Sequence, residues 1–252
     1  MRIYNSLTDK LEEFKPIKEG QVSMYVCGPT VYNYVHIGNM RPTITFDMVR
    51  NYLEYLGYKV TYASNFTDIN PKIIKAAEEL GITEREVANK FIAAYLKDLE
   101  AYQCGKIDIH PTVLENLDNI YAFIEKLIEK GYAYEVDGDV YFHVNKIKDY
   151  GCLSNNTLDE LESGARLEID EKKKDPLDFA LWRKSTAGEH FTSPWGEGIP
   201  GWHTECVVMI NSIFGQKIDI HGGGVDLKFP HHENEIAQSM ALNNNHLANY
   251  WM

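Results

Sequence analysis

The stretch Cys27-Gly28-Pro29-Thr30-Val31-Tyr32-Asn33-Tyr34-Val35-His36-Ile37-Gly38-Asn39 carries most of the information in this sequence. It follows an apolar run, residues 22–26, that is typical of a β-strand. The helical pattern after it has one apolar face, formed by Phe46, Val49, Leu53 and Leu56. A strand, a loop with glycine and proline, and a helix start place backbone N–H groups and the positive end of a helix dipole where a phosphate can bind. The stretch therefore predicts a nucleotide site beside a thiolate.

Strand and helix patterns alternate through the first part of the chain. Gly57 ends the first helix pattern, and residues 58–63 are typical of a second strand. Pro71 stands at a helix start, and residues 83–86 form a capping box that opens another helix. The inward residues of that helix are Val87, Phe91, Tyr95 and Leu99. This order predicts a parallel sheet whose ligand cleft lies at the C-terminal ends of the strands, where Cys27, His36 and Thr67 fall.

A helix, a hairpin and a polar stretch then interrupt the alternation. Residues 114–131 have an amphipathic helical pattern, and residues 132–144 are typical of a hairpin around Asp137-Gly138. The alternating apolar residues of the hairpin are Tyr134, Val136, Val140 and Phe142. Residues 154–175 are polar and charged, so we expect a surface connection there. We interpret these elements as an insertion between two halves of a nucleotide-binding fold.

The second half of that fold follows the insertion. Residues 178–182 and 217–221 are typical of strands, and the second run ends in Gly222-Gly223-Gly224. Residues 232–242 have a helical pattern. No internal repeat is present in the sequence.

Length and composition limit the class of protein. The chain has 252 residues, 44% of them hydrophobic, which is enough for one large domain or two moderate ones. The four cysteines include no C-x-x-C pair, so neither a disulfide framework nor a zinc finger is indicated. Because no secretory signal opens the chain and no apolar run is long enough to span a bilayer, we expect a cytoplasmic protein without a membrane partner. We also expect a monomer.

The charge balance argues against a nucleic-acid binder. The formal net charge is −12, from 25 Lys and Arg against 37 Asp and Glu. Nucleic-acid binders usually carry a basic surface, because neutralising phosphates supplies much of their affinity. Composition alone therefore favours an acidic enzyme with no nucleic-acid partner.

Four separated segments of the sequence resemble one family. His36-Ile37-Gly38-Asn39 resembles the "HIGH" signature of class I aminoacyl-tRNA synthetases, with asparagine in place of the second histidine. The residues 27–32 before it resemble the cysteinyl-tRNA synthetases within that class. The three further matching segments are residues 65–69, 200–206 and 219–235. The resemblance runs from the first strand to Met252, and the order of the segments makes it specific.

The resemblance implies a fold and a division of the chain. The expected fold is α/β, a Rossmann-like parallel-sheet nucleotide-binding fold interrupted by an inserted connective domain. We place the first half of the catalytic domain at residues 1–113, the connective insertion at 114–176, and the second half with a metal site at 177–252. In the resembled family most of the contacts to tRNA come from regions C-terminal to Met252, so the acidic composition is compatible with it.

Four residues match the zinc ligands of the resembled family: Cys27, Cys206, His231 and Glu235. His231 and Glu235 are four residues apart, so on a helix they point the same way. Two thiolates, an imidazole and a carboxylate suit one Zn²⁺ per chain. The alternative is that the two cysteines are small buried residues and that the other pair lies on a solvated helix. A zincin is not indicated, because the order of residues 231–235 does not fit H-E-x-x-H.

A zinc ion would explain how such an enzyme selects its amino acid. Cysteine differs from serine by one atom, and shape alone discriminates near-isosteres by only roughly 10–200-fold. Zinc prefers a soft thiolate to a neutral hydroxyl, so we hypothesise that the sulfur of the substrate cysteine binds the metal. We assign substrate contacts to Cys27, Gly28, Thr67, Trp202 and His221, with His203 beside them; for the aromatic residues and histidines, core packing is the alternative.

The nucleotide site is assigned by the same resemblance. It gives His36 and Asn39 a catalytic role, in which they stabilise the charge that develops on the α-phosphate of ATP. We assign ATP contacts to Gly28, Pro29, Thr30, His36, Gly38, Asn39, Gly222, Gly223 and Asp226, and ATP would bind with Mg²⁺. The triple glycine allows a ligand to approach the backbone closely, and Asp226 can accept hydrogen bonds from a ribose. The sequence departs from the family at Asn70-Pro71, where two aspartates are usual, and Asp68 lies just before this departure.

Two features of the family are missing from these residues. The lysine-rich "KMSKS" signature and the helical anticodon-reading domain do not occur, and Lys172-Lys173-Lys174 is interpreted as solvated loop charge. We therefore expect a truncated piece that folds its zinc site but activates cysteine poorly. The implied reaction is ATP-dependent activation of cysteine and its transfer to tRNA(Cys). The alternatives are an adenylating ligase with an amino-sugar acceptor, a non-catalytic zinc-binding domain, and a zinc hydrolase built from His221, His231 and Glu235.

Overall fold

The structure is a computed structural model that describes residues 1–105, 107–155 and 170–252. Its first half opens with an antiparallel hairpin and continues with alternating strands and helices. The elements are β1 (Arg2–Asn5), β2 (Lys10–Glu13), β3 (Gln21–Val26), α1 (Ile37–Tyr55), β4 (Lys59–Ser64), α2 (Pro71–Leu80) and α3 (Glu84–Ala101).

The second half contains the remaining strands and helices. They are α4 (Leu117–Glu129), β5 (Ala133–Val136), β6 (Asp139–Phe142), β7 (Phe179–Lys184), β8 (Phe191–Ser193), β9 (Gly196–Pro200), α5 (Trp202–Phe214), β10 (Ile218–Gly222), α6 (Glu233–Asn243) and β11 (Ala248–Trp251). Short helical turns precede α4 at Leu114–Asn116 and follow β10 at Val225–Leu227. None of the helices in the described part of the chain is long and apolar enough to cross a membrane.

Four strands form the parallel sheet that the sequence predicts. Their order is β11-β10-β3-β4, and every neighbouring pair is parallel. Strands from both halves of the chain therefore lie side by side, with Met24 of β3 opposite Ile220 of β10 and Tyr62 of β4. This arrangement confirms the α/β fold class. It also brings the C-terminal ends of the four strands to one edge.

Both faces of the parallel sheet are covered. Met24 and Val26 of β3 pack into a hydrophobic cluster with α1, α2 and α3, whereas Tyr25 belongs to a second cluster with α4, α5 and α6. This division follows from the alternation of side chains along a strand, and it explains why the strand reads as a continuous apolar run. The inward residues predicted for α3 are all buried. One expectation for α1 is wrong: Leu56 is 41% exposed, because the helix ends at Tyr55 and Leu56 follows as its C-terminal cap.

A second, antiparallel sheet with the strand order β5-β6-β7-β9-β8 lies between β4 and β10 in the chain. The predicted hairpin is confirmed: Asp137 and Gly138 connect β5 and β6 with φ angles of 52° and 88°, as a type I′ turn requires. The expected alternation fails in β6, whose four residues are all buried, because this inner strand is covered on both faces. Strands β5 and β6 precede residue 176, the predicted end of the insertion, whereas β7, β8 and β9 follow it. The division of the chain into three parts stays a prediction. The expected surface connection lies largely outside the described residues.

The lysines at residues 172–174 are not simply solvated, contrary to expectation. Lys172 pairs with the carboxylate of Asp139, and the ammonium of Lys174 lies 4.2 Å from the centre of the Tyr134 ring. Lys173 lines a cavity beside β7. Lys172 and Lys174 contact residues of β6 and β5, which lie more than 30 residues earlier in the chain. The sequence around residue 173 cannot predict such distant contacts.

Candidate metal centre and nucleotide cleft

The structure brings together the four predicted metal ligands. Cys27 directly follows β3, Cys206 lies in α5, and His231 and Glu235 lie in the turn before α6 and in its first turn. The Cys27 Sγ atom is 3.7 Å from Cys206 Sγ and 3.7 Å from Glu235 Oε1. His231 Nε2 is 3.8 Å from Cys206 Sγ and 3.0 Å from Glu235 Oε1. We call these four residues the metal quartet.

The donor set and its spacing fit zinc. All four ligand atoms lie within 4.8 Å of one another, and three of the four residues are fully buried. Zinc bonds of about 2.3 Å to sulfur and about 2.0–2.1 Å to nitrogen or oxygen imply tetrahedral ligand separations of about 3.3–3.8 Å. Four of the six separations in the metal quartet are 3.7, 3.7, 3.8 and 3.0 Å, so three of these four lie within this range. The quartet is therefore compatible with a tetrahedral zinc ion.

The electrostatics of the quartet also favour a cation. A hydrogen bond with Cys27 lowers the pKa of the Cys206 thiol to about 6, so this thiolate forms readily. Burial opposes ionisation of Glu235, but the charges of His221 and His231 hold the pKa of its carboxyl well below the usual range. Burial likewise opposes a charge on His231, yet the neighbouring Glu235 raises the pKa of the imidazole to about 10. Cys206 and Glu235 thus stabilise positive charge at this buried position, whereas burial and the neighbouring Cys206 and Glu235 raise the pKa of the Cys27 thiol.

A second set of donors overlaps the metal quartet. Cys27, His221, His232 and Glu235 also place their ligand atoms within 4.8 Å of one another. His232 Nε2 lies 3.5 Å from Cys27 Sγ, and His221 Nε2 lies 2.7 Å from Glu235 Oε2. The sequence analysis missed His232, and the only signal for it was its position next to His231. The second set has one thiolate against two in the metal quartet, so the quartet suits zinc better.

Beside the quartet lies a cleft of about 640 Å³ at the C-terminal edge of the parallel sheet. Most of the predicted site residues line it: Cys27, Gly28, Pro29, Thr30, His36, Gly38, Asn39, Thr67, Trp202, Cys206, Asp226 and His231. The loops after β3 and β4 are tied together here, because Val31 N donates to Thr67 O and Thr67 N donates to Pro29 O, each at 3.2 Å. The cleft therefore joins the expected nucleotide and metal residues.

Three residues assigned to ligand contacts, His221, Gly222 and Gly223, do not line this cleft. The aromatic ring of Phe46 occupies the place that a Cβ at Gly222 would take, so glycine there allows α1 to pack against β10. A Cβ at Gly223 would lie 2.7 Å from the His232 ring. His221 is fully buried and stacks on Trp251 at 4.3 Å. In this structure Gly222 O accepts a hydrogen bond from Cys27 N at 3.0 Å and His221 Nε2 lies 2.7 Å from Glu235 Oε2, and the ligand roles of all three residues stay predictions.

His36 and Asn39 form a capping box at the start of α1. His36 Nδ1 accepts a hydrogen bond from Gly38 N at 3.0 Å, and His36 N donates to Asn39 Oδ1 at 3.2 Å. A Cβ at Gly38 would lie 2.8 Å from the His36 ring, so glycine makes room for the imidazole. Both side chains are exposed and line the cleft. Capping leaves the Nε2 atom of His36 and the amide nitrogen of Asn39 for a ligand.

The match to known proteins agrees with this geometry. The model of the family described as "tRNA synthetases class I (C) catalytic domain" matches residues 13–252. The chain belongs to this family. Its relatives include the cysteine–tRNA ligases of Anoxybacillus flavithermus and Exiguobacterium sibiricum, which are 58% and 59% identical over 253 residues. Each alignment covers 100% of this chain and 54% of the relative, so the chain spans about half the length of the curated relatives it matches.

A solved structure shows the same fold at low sequence identity. The Mycobacterium tuberculosis methionyl-tRNA synthetase in complex with methionyl-adenylate matches with a TM-score of 0.67 and 12% identity, over 88% of this chain and 54% of that chain. At this identity the match supports the fold of the class I synthetase domain alone.

Asp68 has a structural role in this class I synthetase domain. Its carboxylate accepts hydrogen bonds from Arg85 Nη1 at 2.7 Å and from Val113 N at 2.8 Å, and the residue is 2% exposed. It therefore joins α3 to the segment before α4 and does not line the cleft. Its neighbour Thr67 does line the cleft, and its hydroxyl donates to Glu205 Oε2 at 3.1 Å.

The sequence did not lead us to predict one cationic residue that lines the cleft, Lys72. Lys72 lies in the first turn of α2, where Asn70 caps the helix, and its ammonium is 5.3 Å from the centre of the Tyr32 ring. Among the described residues that line the cleft it is the only lysine or arginine. One feature of the sequence could have indicated Lys72: it directly follows Asn70-Pro71, where the sequence departs from the family and a helix begins at the edge of the cleft.

The geometry predicts that His221 positions a metal ligand. Its Nε2 atom lies 2.7 Å from the Oε2 atom of Glu235, and both atoms are buried without a hydrogen bond to any further described residue. Because such outer partners typically change metal affinity by about 10–100-fold, His221→Ala should weaken zinc binding by that factor. His221→Gln should restore part of the affinity. Competition with a chromogenic chelator measures it.

A phenylalanine variant separates this role from packing. His221→Phe keeps the stacking on Trp251 but has no ring nitrogen, so we expect the same loss of zinc affinity as for alanine. His246→Ala, at a half-buried histidine outside both donor sets, serves as the control and should leave the affinity unchanged. Wild-type affinity in His221→Phe would show that the residue acts by packing alone.

Proposed function

We propose that this domain activates cysteine with ATP, as part of a protein that transfers the cysteine to tRNA(Cys). One observation carries the proposal: three members of the metal quartet line the same cleft as the His36–Asn39 pair. An amino acid held at the quartet would therefore present its carboxylate toward the phosphates of a nucleotide held at the start of α1. The names of the relatives with 58–59% identity support the same substrate.

Residues of the quartet would hold one zinc ion. Cys27 and Cys206 supply two thiolates, His231 an imidazole and Glu235 a carboxylate. When bound, zinc supplies a preference for a soft thiolate over a neutral hydroxyl. The protein supports this choice with the shape of the site, because the Trp202 ring stacks on His231 at 4.1 Å and borders the cleft next to it.

The remaining residues would bind ATP and stabilise the transition state. In the reaction, a carboxylate oxygen of cysteine attacks the α-phosphorus of ATP, and pyrophosphate leaves with the electron pair of the broken P–O bond. Negative charge on the α-phosphate oxygens is then stabilised by donors at the start of α1, where His36 and Asn39 add to the helix dipole. Gly28, Thr30 and Asp226 border the same cleft.

The test is cysteine-dependent exchange of labelled pyrophosphate into ATP. In the full-length protein loaded with zinc, we expect cysteine to support exchange more than about 200-fold better than serine. This ratio exceeds the discrimination that the shape of a pocket alone gives between near-isosteric substrates. Comparable exchange with serine would contradict the proposed selection. If the zinc-loaded protein does not bind ATP in calorimetry, the alternative of a non-catalytic zinc-binding domain is correct.

The acceptor is tested separately. Once cysteinyl-adenylate has formed, we expect transfer of labelled cysteine to tRNA(Cys) and none to a free amino sugar. Transfer to the amino sugar alone would reject tRNA as the acceptor while leaving the activation step in place.

A further inference from the structure

The proposed function leaves one charged residue of the cleft without a role. Lys72 lies in the first turn of α2, and its ammonium group is 5.3 Å from the centre of the Tyr32 ring. The described lining of the cleft contains one other side chain with a full charge, the carboxylate of Asp226 in the turn after β10. A ligand that fills the cleft therefore meets a carboxylate at the β10 end and a cation at the α2 end.

The ammonium group of Lys72 is available to an anion. The residue is exposed, and its ammonium forms neither an ion pair nor a hydrogen bond with the residues that the structure describes. Its contact with Tyr32 is a cation–π contact at an exposed site, which is weak and leaves N–H groups for a ligand. The two residues before Lys72 are uncharged, and the carboxylate of Asp68 is already engaged by Arg85.

The fold brings this cation to the cleft from the side opposite the metal quartet. Backbone hydrogen bonds of Thr67 with Pro29 and Val31 join the loop after β3 to the loop that precedes α2. Helices α1, α2 and α3 cover one face of the parallel sheet, whereas α5 and α6 cover the other. The metal quartet takes residues from α5 and α6. Lys72 and the start of α1 therefore belong to the face that lies away from those helices.

The direction of the reaction decides which phosphates approach this face. A carboxylate oxygen of cysteine forms a bond to the α-phosphorus, and the bond from that phosphorus to the bridging oxygen breaks. The electron pair of the broken bond leaves with pyrophosphate. In such a displacement the attacking and leaving oxygens are roughly in line with the phosphorus. Because the amino acid is held at the metal quartet, the pyrophosphate departs toward the face of α1 and α2.

We propose that Lys72 binds the β- and γ-phosphates of ATP and stabilises the departing pyrophosphate. This inference rests on the proposed function, since it assigns a further residue to the same reaction. Negative charge on the leaving group grows as the P–O bond breaks, so a cation fixed beside it lowers the barrier. Lys72 thereby complements His36 and Asn39, which act on the α-phosphate.

The test is cysteine-dependent pyrophosphate exchange by the zinc-loaded full-length protein. Lys72→Ala should lower the exchange rate about 10–100-fold, as expected for a lost bond to a charged group. The KM for pyrophosphate should rise, whereas the KM for cysteine should stay unchanged. Lys75→Ala is the matched control and should leave all three quantities unchanged. Lys75 lies in the same helix, is exposed, pairs with Glu79 and does not line the cleft.

Two conservative variants separate charge from packing. Lys72→Arg keeps the positive charge and should retain most of the exchange. Lys72→Met keeps an unbranched side chain beside Tyr32 but has no charge, so we expect it to behave like Lys72→Ala. Wild-type exchange in Lys72→Met would show that the residue acts by packing on Tyr32, and the proposal would be wrong. Lys72→Met also provides the test if Lys72→Ala folds poorly, which the zinc content per chain reveals.

Calorimetry identifies the phosphates that Lys72 contacts. Lys72→Ala should weaken the binding of ATP but not that of AMP, because AMP lacks the β- and γ-phosphates. An equal loss for both nucleotides would place Lys72 at the α-phosphate or the nucleoside and would overturn the proposal. If the wild type exchanges pyrophosphate and every Lys72 variant matches Lys75→Ala, the role of Lys72 alone is rejected. No cysteine-dependent exchange in the wild type would mean that the proposed function itself has failed.

Discussion

Replacing Cys206 with serine should lower the zinc affinity of this chain by about a hundredfold or more, given that structural zinc sites with four ligands bind with about 10–16 kcal/mol. The reason is that the Cys206 thiol ionises readily, with a pKa of about 6 set first by its hydrogen bond with Cys27, whereas a serine hydroxyl does not ionise. Cys27→Ser should cause a loss at least as large, because Cys27 belongs to both donor sets.

The two remaining cysteines provide matched controls for this prediction. Cys104 and Cys152 are free thiols outside both donor sets, so Cys104→Ser and Cys152→Ser should bind zinc like the wild type. Zinc per chain is measured by elemental analysis after dialysis and the affinity by chelator competition. Full zinc affinity in Cys206→Ser combined with its loss in Cys27→Ser would place the ion in the second donor set, with His221 and His232.

Replacing His36 with alanine should lower cysteine-dependent pyrophosphate exchange by about a hundredfold or more, the usual effect of removing one preorganised donor from a transition state. The same variant should also lose about 1 kcal/mol of stability, because His36 caps α1 through its Nδ1 atom. Pyrophosphate exchange is measured with the full-length protein, and the free energy of unfolding is measured by urea denaturation.

His36→Asn distinguishes catalysis from capping. Asparagine is among the best N-cap residues, so this variant should keep the stability of α1 while losing the imidazole. We expect its exchange rate to fall as far as that of His36→Ala. Near-normal exchange in His36→Asn would show that His36 acts only as a helix cap.

Local patterns predicted the elements of the fold well. The capping box at Thr83, the turn at Asp137-Gly138 and the helix start at Pro71 are all present, because each depends on residues within one or two turns of chain. Errors arose where distant parts of the chain cover an element. Strand β6 is buried on both faces, and Lys173 lines a pocket instead of lying free in solvent.

The site required more than local patterns. Cys27 and Cys206 are 179 residues apart, and a family resemblance, not their spacing, predicts that they meet. The structure joins them because β10 lies beside β3, which places α5, α6 and the loop after β3 around one point. Asp68 shows the opposite case: it stands next to a cleft residue in the sequence, yet its carboxylate is fully engaged by Arg85 and Val113.

The sequence by itself determined the strand–loop–helix at residues 27–39, the capping residues and the chemical types of the metal donors, since these depend on neighbours along the chain. Only the tertiary structure decided that the predicted donors do meet, that His232 lies beside them, and that His221 Nε2 is 2.7 Å from Glu235 Oε2. The physical reason is that the order of strands in a sheet is set by burial of both its faces, and no short stretch of sequence contains that information.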